Sequence, residues 1–150
     1  MFFEPIKKNH GLPKNPFNSL VIPRPIGWIT SRDPEGVVNL APYSFFNAVC
    51  YSPPTVIFAS GAGSGEDGLK DSLRNVEATG EFVANMVTWE LREQMVETAA
   101  HLAPAEDEMA KVGLETEPSV LVKPPRVKAS PTHLECRYTV SYTHLTLPTK

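Results

Sequence analysis

Short apolar runs separated by glycine, proline and small polar residues dominate this chain, and helical periodicity surfaces only between them. Residues 1–19 are polar and loop-like, with Pro5, Gly11, Pro13 and Pro16. A first strand is expected over residues 20–32. Pro23 and Pro25 withdraw two ladder donors there, which puts its early part on an edge. Asp33-Pro34-Glu35-Gly36 has turn chemistry, because proline pre-sets φ and glycine accepts a positive φ. The return strand starts at Val37, Ser52-Pro53-Pro54 ends the next connection, and residues 55–60 form a short apolar strand. Gly61 to Gly68 is a glycine-rich loop.

A helix from Asp71 or Ser72 to Thr79 follows, with Asp71 as cap, Leu73 and Val76 on one face and Gly80 just past its end. Residues 81–87 alternate as a strand should. Thr88 caps a second helix reaching Ala100, with Leu91, Met95 and Ala99 at four-residue steps. Residues 104–112 read as a short helix with an acidic first turn, stopped by Gly113. Residues 120–122 and 132–140 are the last strands. In the latter, Leu134, Cys136, Tyr138 and Val140 share one face, while His133, Glu135, Arg137 and Thr139 take a polar outer face. Strands with helices inserted between them predict a mainly β protein with helical insertions, an antiparallel barrel or sandwich and not a doubly wound sheet.

At 150 residues the chain is most simply one domain with a real core. Net charge is −3 with no basic run, so the footprint of a nucleic-acid binder is missing. The 15 prolines suit strand ends and irregular loops, not a helical bundle. Cys50 and Cys136 form neither a disulfide framework nor a metal-type spacing. No secretory signal and no apolar run of about 18 residues is read, so a cytoplasmic protein without a membrane partner is expected.

Two stretches carry candidate chemistry. Arg24-Pro25-Ile26-Gly27-Trp28-Ile29-Thr30-Ser31, closing into Asn39-Leu40-Ala41-Pro42-Tyr43-Ser44-Phe45-Phe46-Asn47, combines amides, hydroxyls and aromatics on two extended segments. That mixture can hold a flat polar ring against a sheet. Lys70-Asp71-Ser72 brings a cation, a cap and a hydroxyl to a helix N-terminus, where amide N–H groups and the macrodipole favour an anion such as phosphate. The site therefore has a ring end and a phosphate end. His10, His101, His133 and His144 are scattered and suggest neither a metal nor a triad. There is no Rossmann fingerprint.

Taken in order, these pieces resemble the flavin reductase-like family with the FMN-binding split barrel. The resemblance rests on the two motifs above, Pro53-Pro54, Lys70-Asp71-Ser72 with Asn75, and Gly80-Glu81-Phe82-Val83 with Asn85. Pro118-Ser119, Pro124-Pro125-Arg126-Val127 and Ser130-Pro131 with Glu135-Cys136 add to it. It covers residues 20–137. It implies a Greek-key split β-barrel domain over residues 1–140 that dimerises and holds one FMN per subunit at the interface. Members pass a hydride from NADH or NADPH to flavin, often feeding a partner monooxygenase with free reduced flavin, while some relatives only bind flavin.

On that reading Ile29, Thr30 and Ser31 face the isoalloxazine edge, with Ile29 in the core either way. Pro42 and Tyr43 belong to the same binding segment. Ser44 and Ser60 either donate to phosphate or ribityl or serve as strand-end serines. One of Phe45 and Phe46 lies near the ligand and the other fills the barrel. Asn47 and Asn85 either meet polar ring or ribityl atoms or make turns and strand ends. Lys70, Asp71 and Ser72 take the phosphate. Trp28 belongs to the core or the dimer interface. Hydride transfer needs no nucleophile or strong base, so no catalytic residue and no metal ligand is named. The chain departs from the family twice. Family members continue into further strands after Cys136, whereas residues 141–150 resemble a translated sequencing-adapter scar and count as a non-native tail, leaving the barrel incomplete. The loop before Lys70 carries Glu66 and Asp67 where a basic or hydroxyl residue is usual.

Overall fold

Asp33-Pro34-Glu35-Gly36 folds as its chemistry requires. The Asp33 carboxylate accepts the N–H groups of Gly36 and Val37 at 2.6 and 2.7 Å, and Gly36 sits at φ +103°. This turn joins the first two strands of a computed structural model that describes residues 10–14, 16–61, 63, 68–99 and 108–141. Strands β1 (Gly27–Arg32) and β2 (Val38–Tyr43) pair antiparallel, Trp28 opposite Pro42. The chain then forms the hairpin β3 (Phe46–Tyr51) and β4 (Pro54–Phe58), helix α2 (Asp71–Thr79), strand β5 (Glu81–Asn85) and helix α3 (Arg92–Glu97). Helix α4 (Glu108–Lys111), the short strands β6 (Thr116–Glu117) and β7 (Arg126–Val127), and β8 (His133–Arg137) complete it. A first short helix, α1 (Pro16–Leu20), precedes β1. The main sheet has the order β2-β1-β5-β8, with β3-β4 and β6-β7 as separate two-stranded ribbons. The architecture is mainly antiparallel β with few helices, and the described strands do not close into a barrel.

Strand alternation builds two apolar cores. Trp28 packs with Leu40, Leu91, Met109, Leu114 and Val127. Ile29, its neighbour on the opposite face, packs with Tyr43, Val76, Phe82 and Ala84. Both side chains are fully buried. Helix α2 stops where expected: Gly80 takes φ +74° and its N–H caps the carbonyl of Val76 at 2.8 Å.

Several expected extents need correction. The first strand starts at Gly27, not residue 20, because the stretch carrying Pro23 and Pro25 cannot supply a continuous ladder and its beginning is helical instead. Residues 46–51 are a strand and not a connection; their side chains are mostly exposed, so no buried face announced it. Lys70, not Asp71, occupies the N-cap position, and Asp71 instead pairs with Arg74 at 2.5 Å. Strand β5 ends at Asn85, after which the Met86 N–H turns to the Thr132 carbonyl at 3.0 Å. The second helix is only Arg92–Glu97, because residues 88–91 form a turn in which the Leu91 N–H reaches the Thr88 carbonyl. Of the short helix expected over 104–112, Glu108–Lys111 is helical and residues 104–107 lie outside the described residues. Residues 120–122 are no strand: their bend is held by the Glu135 carboxylate, which accepts the N–H of Val120 at 2.9 Å and of Leu121 at 2.5 Å.

That last contact also revises β8. His133 and Glu135 do not form a solvated outer face. His133 Nε2 lies 2.9 Å from the Val127 carbonyl, so the arm of residues 119–127 covers this side. An open cleft of about 1550 Å³ runs along β8, lined by Leu134, Cys136 and Tyr138 as well as by His133 and Glu135, and reaches across to Val56 and Phe58 of β4.

Candidate functional site

The β2–β3 corner is where the two sequence stretches with candidate chemistry meet. Strand β2 ends at Tyr43, and Ser44 and Phe45 make the bend before β3. The Ala59 N–H donates to the Phe45 carbonyl at 2.8 Å, which brings the end of β4, and Ser60 one residue on, beside that corner. Lys70 arrives from the start of α2, its Nζ lying 5.6 Å from the centroid of the Tyr43 ring. Just before Lys70, the Gly63 N–H donates to the Gly68 carbonyl at 2.8 Å. A Cβ at Gly63 would fall 2.0 Å from the backbone oxygen of Leu69, so only glycine permits this approach.

The aromatic pair separates clearly. Phe46 packs against the second core and lies so close to Gly27 that a Cβ there would come within 2.5 Å of its ring. Phe45 is 42% exposed, with the Arg24 guanidinium 5.1 Å from its ring centroid. Arg24 is held in turn by donating to the carbonyls of Asn18 and Val21 at 2.7 and 2.8 Å.

The candidate residues therefore fall into an accessible group and a buried group. Pro42, Ser44, Ser60 and Lys70 are half-buried around the corner, and Phe45, Asn47 and Asp71 are exposed. The Asn47 side chain accepts the N–H of Ala48 at 2.9 Å, and the Ser60 hydroxyl donates to the Gly61 carbonyl at 3.2 Å. Ile29, Thr30, Ser31, Tyr43, Ser72 and Asn85 are buried. Thr30 accepts from the Asn85 amide at 2.7 Å, and that amide also donates to the Trp28 carbonyl at 2.9 Å. The Asn85 carbonyl accepts the Val127 N–H at 2.9 Å. Asn85 thus joins β1, β5 and β7 below the surface. Ser72 accepts from Asn39 at 2.7 Å, and Ser31 accepts from Asn75 at 3.2 Å, so both serines tie α2 to the sheet. Trp28 is a core residue whose indole N–H donates to Thr98.

Sequence reading gave no separate role to Asn39, Asn75 or Gly63. The available signal was an amide inside an otherwise apolar strand, and a helix whose inward positions 72, 75 and 76 are polar, polar and apolar.

The donor set suits a phosphorylated aromatic ligand. An ammonium, two serine hydroxyls and the first turn of a helix, whose leading N–H groups have no intrahelical acceptor, fit a phosphate. The exposed Phe45 ring beside them fits a flat ring. Among the described residues, no three His, Cys, Asp or Glu side chains converge to hold a metal ion.

Comparison with known proteins gives the family and the fold. Residues 19–145 match the model of the flavin reductase like domain. The chain belongs to this family. An uncharacterized protein of Aquifex aeolicus is 43% identical over 118 residues, covering 79% of this chain and 60% of its own length. The chain thus spans less than two thirds of that relative. Component B of nitrilotriacetate monooxygenase from Bacillus cereus superposes with a TM-score of 0.80 at 34% identity, covering 91% of this chain and 67% of the other. A split-barrel domain protein from Shewanella frigidimarina superposes with a TM-score of 0.69 at 24% identity, covering 81% and 58%. The split-barrel class expected for this flavin reductase-like chain is thereby seen in its fold. No described helix is long and apolar enough to cross a membrane.

Proposed function

We propose that the protein binds FMN at the β2–β3 corner and acts as an NAD(P)H:flavin oxidoreductase. The observation that carries this reading is Lys70 standing over Tyr43, because it joins a cationic helix start to the aromatic corner. Lys70 and the first turn of α2 hold the phosphate, with Ser44 and Ser60 as hydroxyl donors to phosphate or ribityl. Phe45 and the backbone of β1 and β2 border the ring. When bound, the flavin supplies the redox chemistry by accepting a hydride from NAD(P)H. The residues of this chain orient the ring, neutralise the phosphate and exclude water at the corner; none has to move a proton.

The protein works as a homodimer in the cytoplasm and supplies reduced flavin to a partner monooxygenase. Supporting the dimer, the apolar side chains of Leu20, Val21, Ile22 and Phe45 are exposed, and Arg24 bonds the Val21 carbonyl and overlies the Phe45 ring. Supporting the partner, the Bacillus cereus structure is named as a monooxygenase component. The test is steady-state NAD(P)H oxidation with added FMN. Turnover that saturates with FMN is expected. Tight FMN binding without turnover would reduce the protein to a flavin carrier, and absence of FMN binding would end the reading altogether.

A further inference from the structure

Helix α2 docks on the sheet by an unusual set of contacts. Its buried residues are Ser72, Asn75 and Val76, so only one of the three is apolar. Each polar one hydrogen-bonds a buried side chain of the sheet. Asn39 of β2 donates to Ser72 at 2.7 Å, and Asn75 donates to Ser31 of β1 at 3.2 Å. Ser31 and Ser72 are almost completely inaccessible, and Asn39 and Asn75 nearly so.

An apolar helix face tolerates sliding by fractions of a turn, since the hydrophobic effect is non-directional. Hydrogen bonds between short side chains do not, because they weaken steeply with distance and angle. Two such bonds, one helical turn apart and reaching two different strands, fix both the rotation and the axial position of α2. The first of them lies in the turn that begins at Lys70.

We propose that Asn39 is a positioning residue for the phosphate seat. It never reaches the ligand. Through Ser72 it sets where Lys70 and the leading N–H groups of α2 stand relative to Tyr43, and Asn75 with Ser31 secures the same helix from the next turn. This rests on the FMN reading above, and it assigns phosphate selectivity to a residue beneath the site.

The discriminating measurement is affinity for FMN against riboflavin, which lacks the phosphate, by fluorescence titration. The wild-type protein is expected to prefer FMN. Asn39→Leu removes the amide that donates to Ser72. This variant should weaken FMN about tenfold, the scale of one displaced hydrogen bond, and leave riboflavin within about twofold. Added to Lys70→Ala, it should cost little more, because both act on the same contact. Asn39→Ser carries the same comparison if the leucine variant loses its cooperative melting transition, and Asn75→Leu should reproduce the pattern more weakly. Parallel loss of both flavins would make Asn39 merely structural and overturn the proposal, as would unchanged FMN affinity. Equal wild-type affinity for the two flavins would instead remove the phosphate seat itself, a failure visible before any variant is made.

Discussion

The indole N–H of Trp28 donates to the hydroxyl of Thr98 at 2.8 Å, although 70 residues separate them in sequence. The Thr98 hydroxyl passes the interaction on by donating to the Met95 carbonyl at 2.8 Å. Strand β1 is thereby bolted to the end of α3 inside the first core. A polar atom of the largest core residue is satisfied without water, which is the condition for burying a tryptophan completely.

Trp28→Phe should lower stability by about 2 kcal/mol, combining a lost buried hydrogen bond with a small cavity. Urea denaturation measures it. Thr98→Val should then cost less in the Trp28→Phe background than in the wild type, since only the bond to the Met95 carbonyl is left for it to lose. Additive losses would mean that the two residues act independently.

Glu135 gives the protein an acid-sensitive latch. Burial alone pushes its carboxyl up, but the N–H groups of Val120 and Leu121, together with Arg126, outweigh burial and hold it below its ordinary 4.5. The folded state therefore binds the proton less readily than the unfolded chain. The resulting stability is complete above the ordinary carboxylate range and is lost as pH falls through the depressed folded value. Melting temperatures of wild type and Glu135→Gln should differ near neutral pH and converge in acid. A difference that persists unchanged at low pH would contradict this assignment.

The two cysteines should react very differently. Desolvation pushes the Cys136 thiol up to about 11, whereas Cys50 is exposed on β3. Since the thiolate is the nucleophile, iodoacetamide at neutral pH should label Cys50 first, with Cys136 accelerating only toward strongly alkaline pH. Peptide mass mapping over a time course reads both rates. Fast labelling of Cys136 at neutral pH would show that its side of β8 is more solvated than its burial implies.

Lys70→Ala should weaken FMN by roughly 1.5–3 kcal/mol, the range of a hydrogen bond to a charged group. The fold should survive, because Lys70 makes no side-chain cap and, among the described residues, its ammonium overlies the Tyr43 ring. An unchanged dissociation constant would take Lys70 out of the site. Raising ionic strength should erode wild-type affinity more than that of the variant.

Some of the candidate site was legible before folding was considered. Lys70 at a helix start and the aromatic run after Tyr43 are local patterns, and both lie at the corner the structure assembles. Which of Phe45 and Phe46 is exposed was not legible, because adjacent strand residues differ only in the face that the rest of the fold happens to cover. Likewise Ser72 and Asn85, attractive as ligand donors, are turned inward onto Asn39 and onto Trp28, Thr30 and Val127.

Local chemistry in the sequence determined the turn at Asp33 to Gly36, the glycine stop at Gly80, the strand alternation through Trp28 and Ile29, and the mainly antiparallel class. Each depends on residues within a few positions of one another, so neighbouring side chains are enough to decide it. Tertiary structure alone decided how far each element extends, which side of β8 is covered, and that Asn39 meets Ser72 and Lys70 meets Tyr43. Those outcomes join residues far apart in the chain. They follow from packing and hydrogen-bond satisfaction across the whole domain, where every buried polar atom needs a partner that no local pattern specifies.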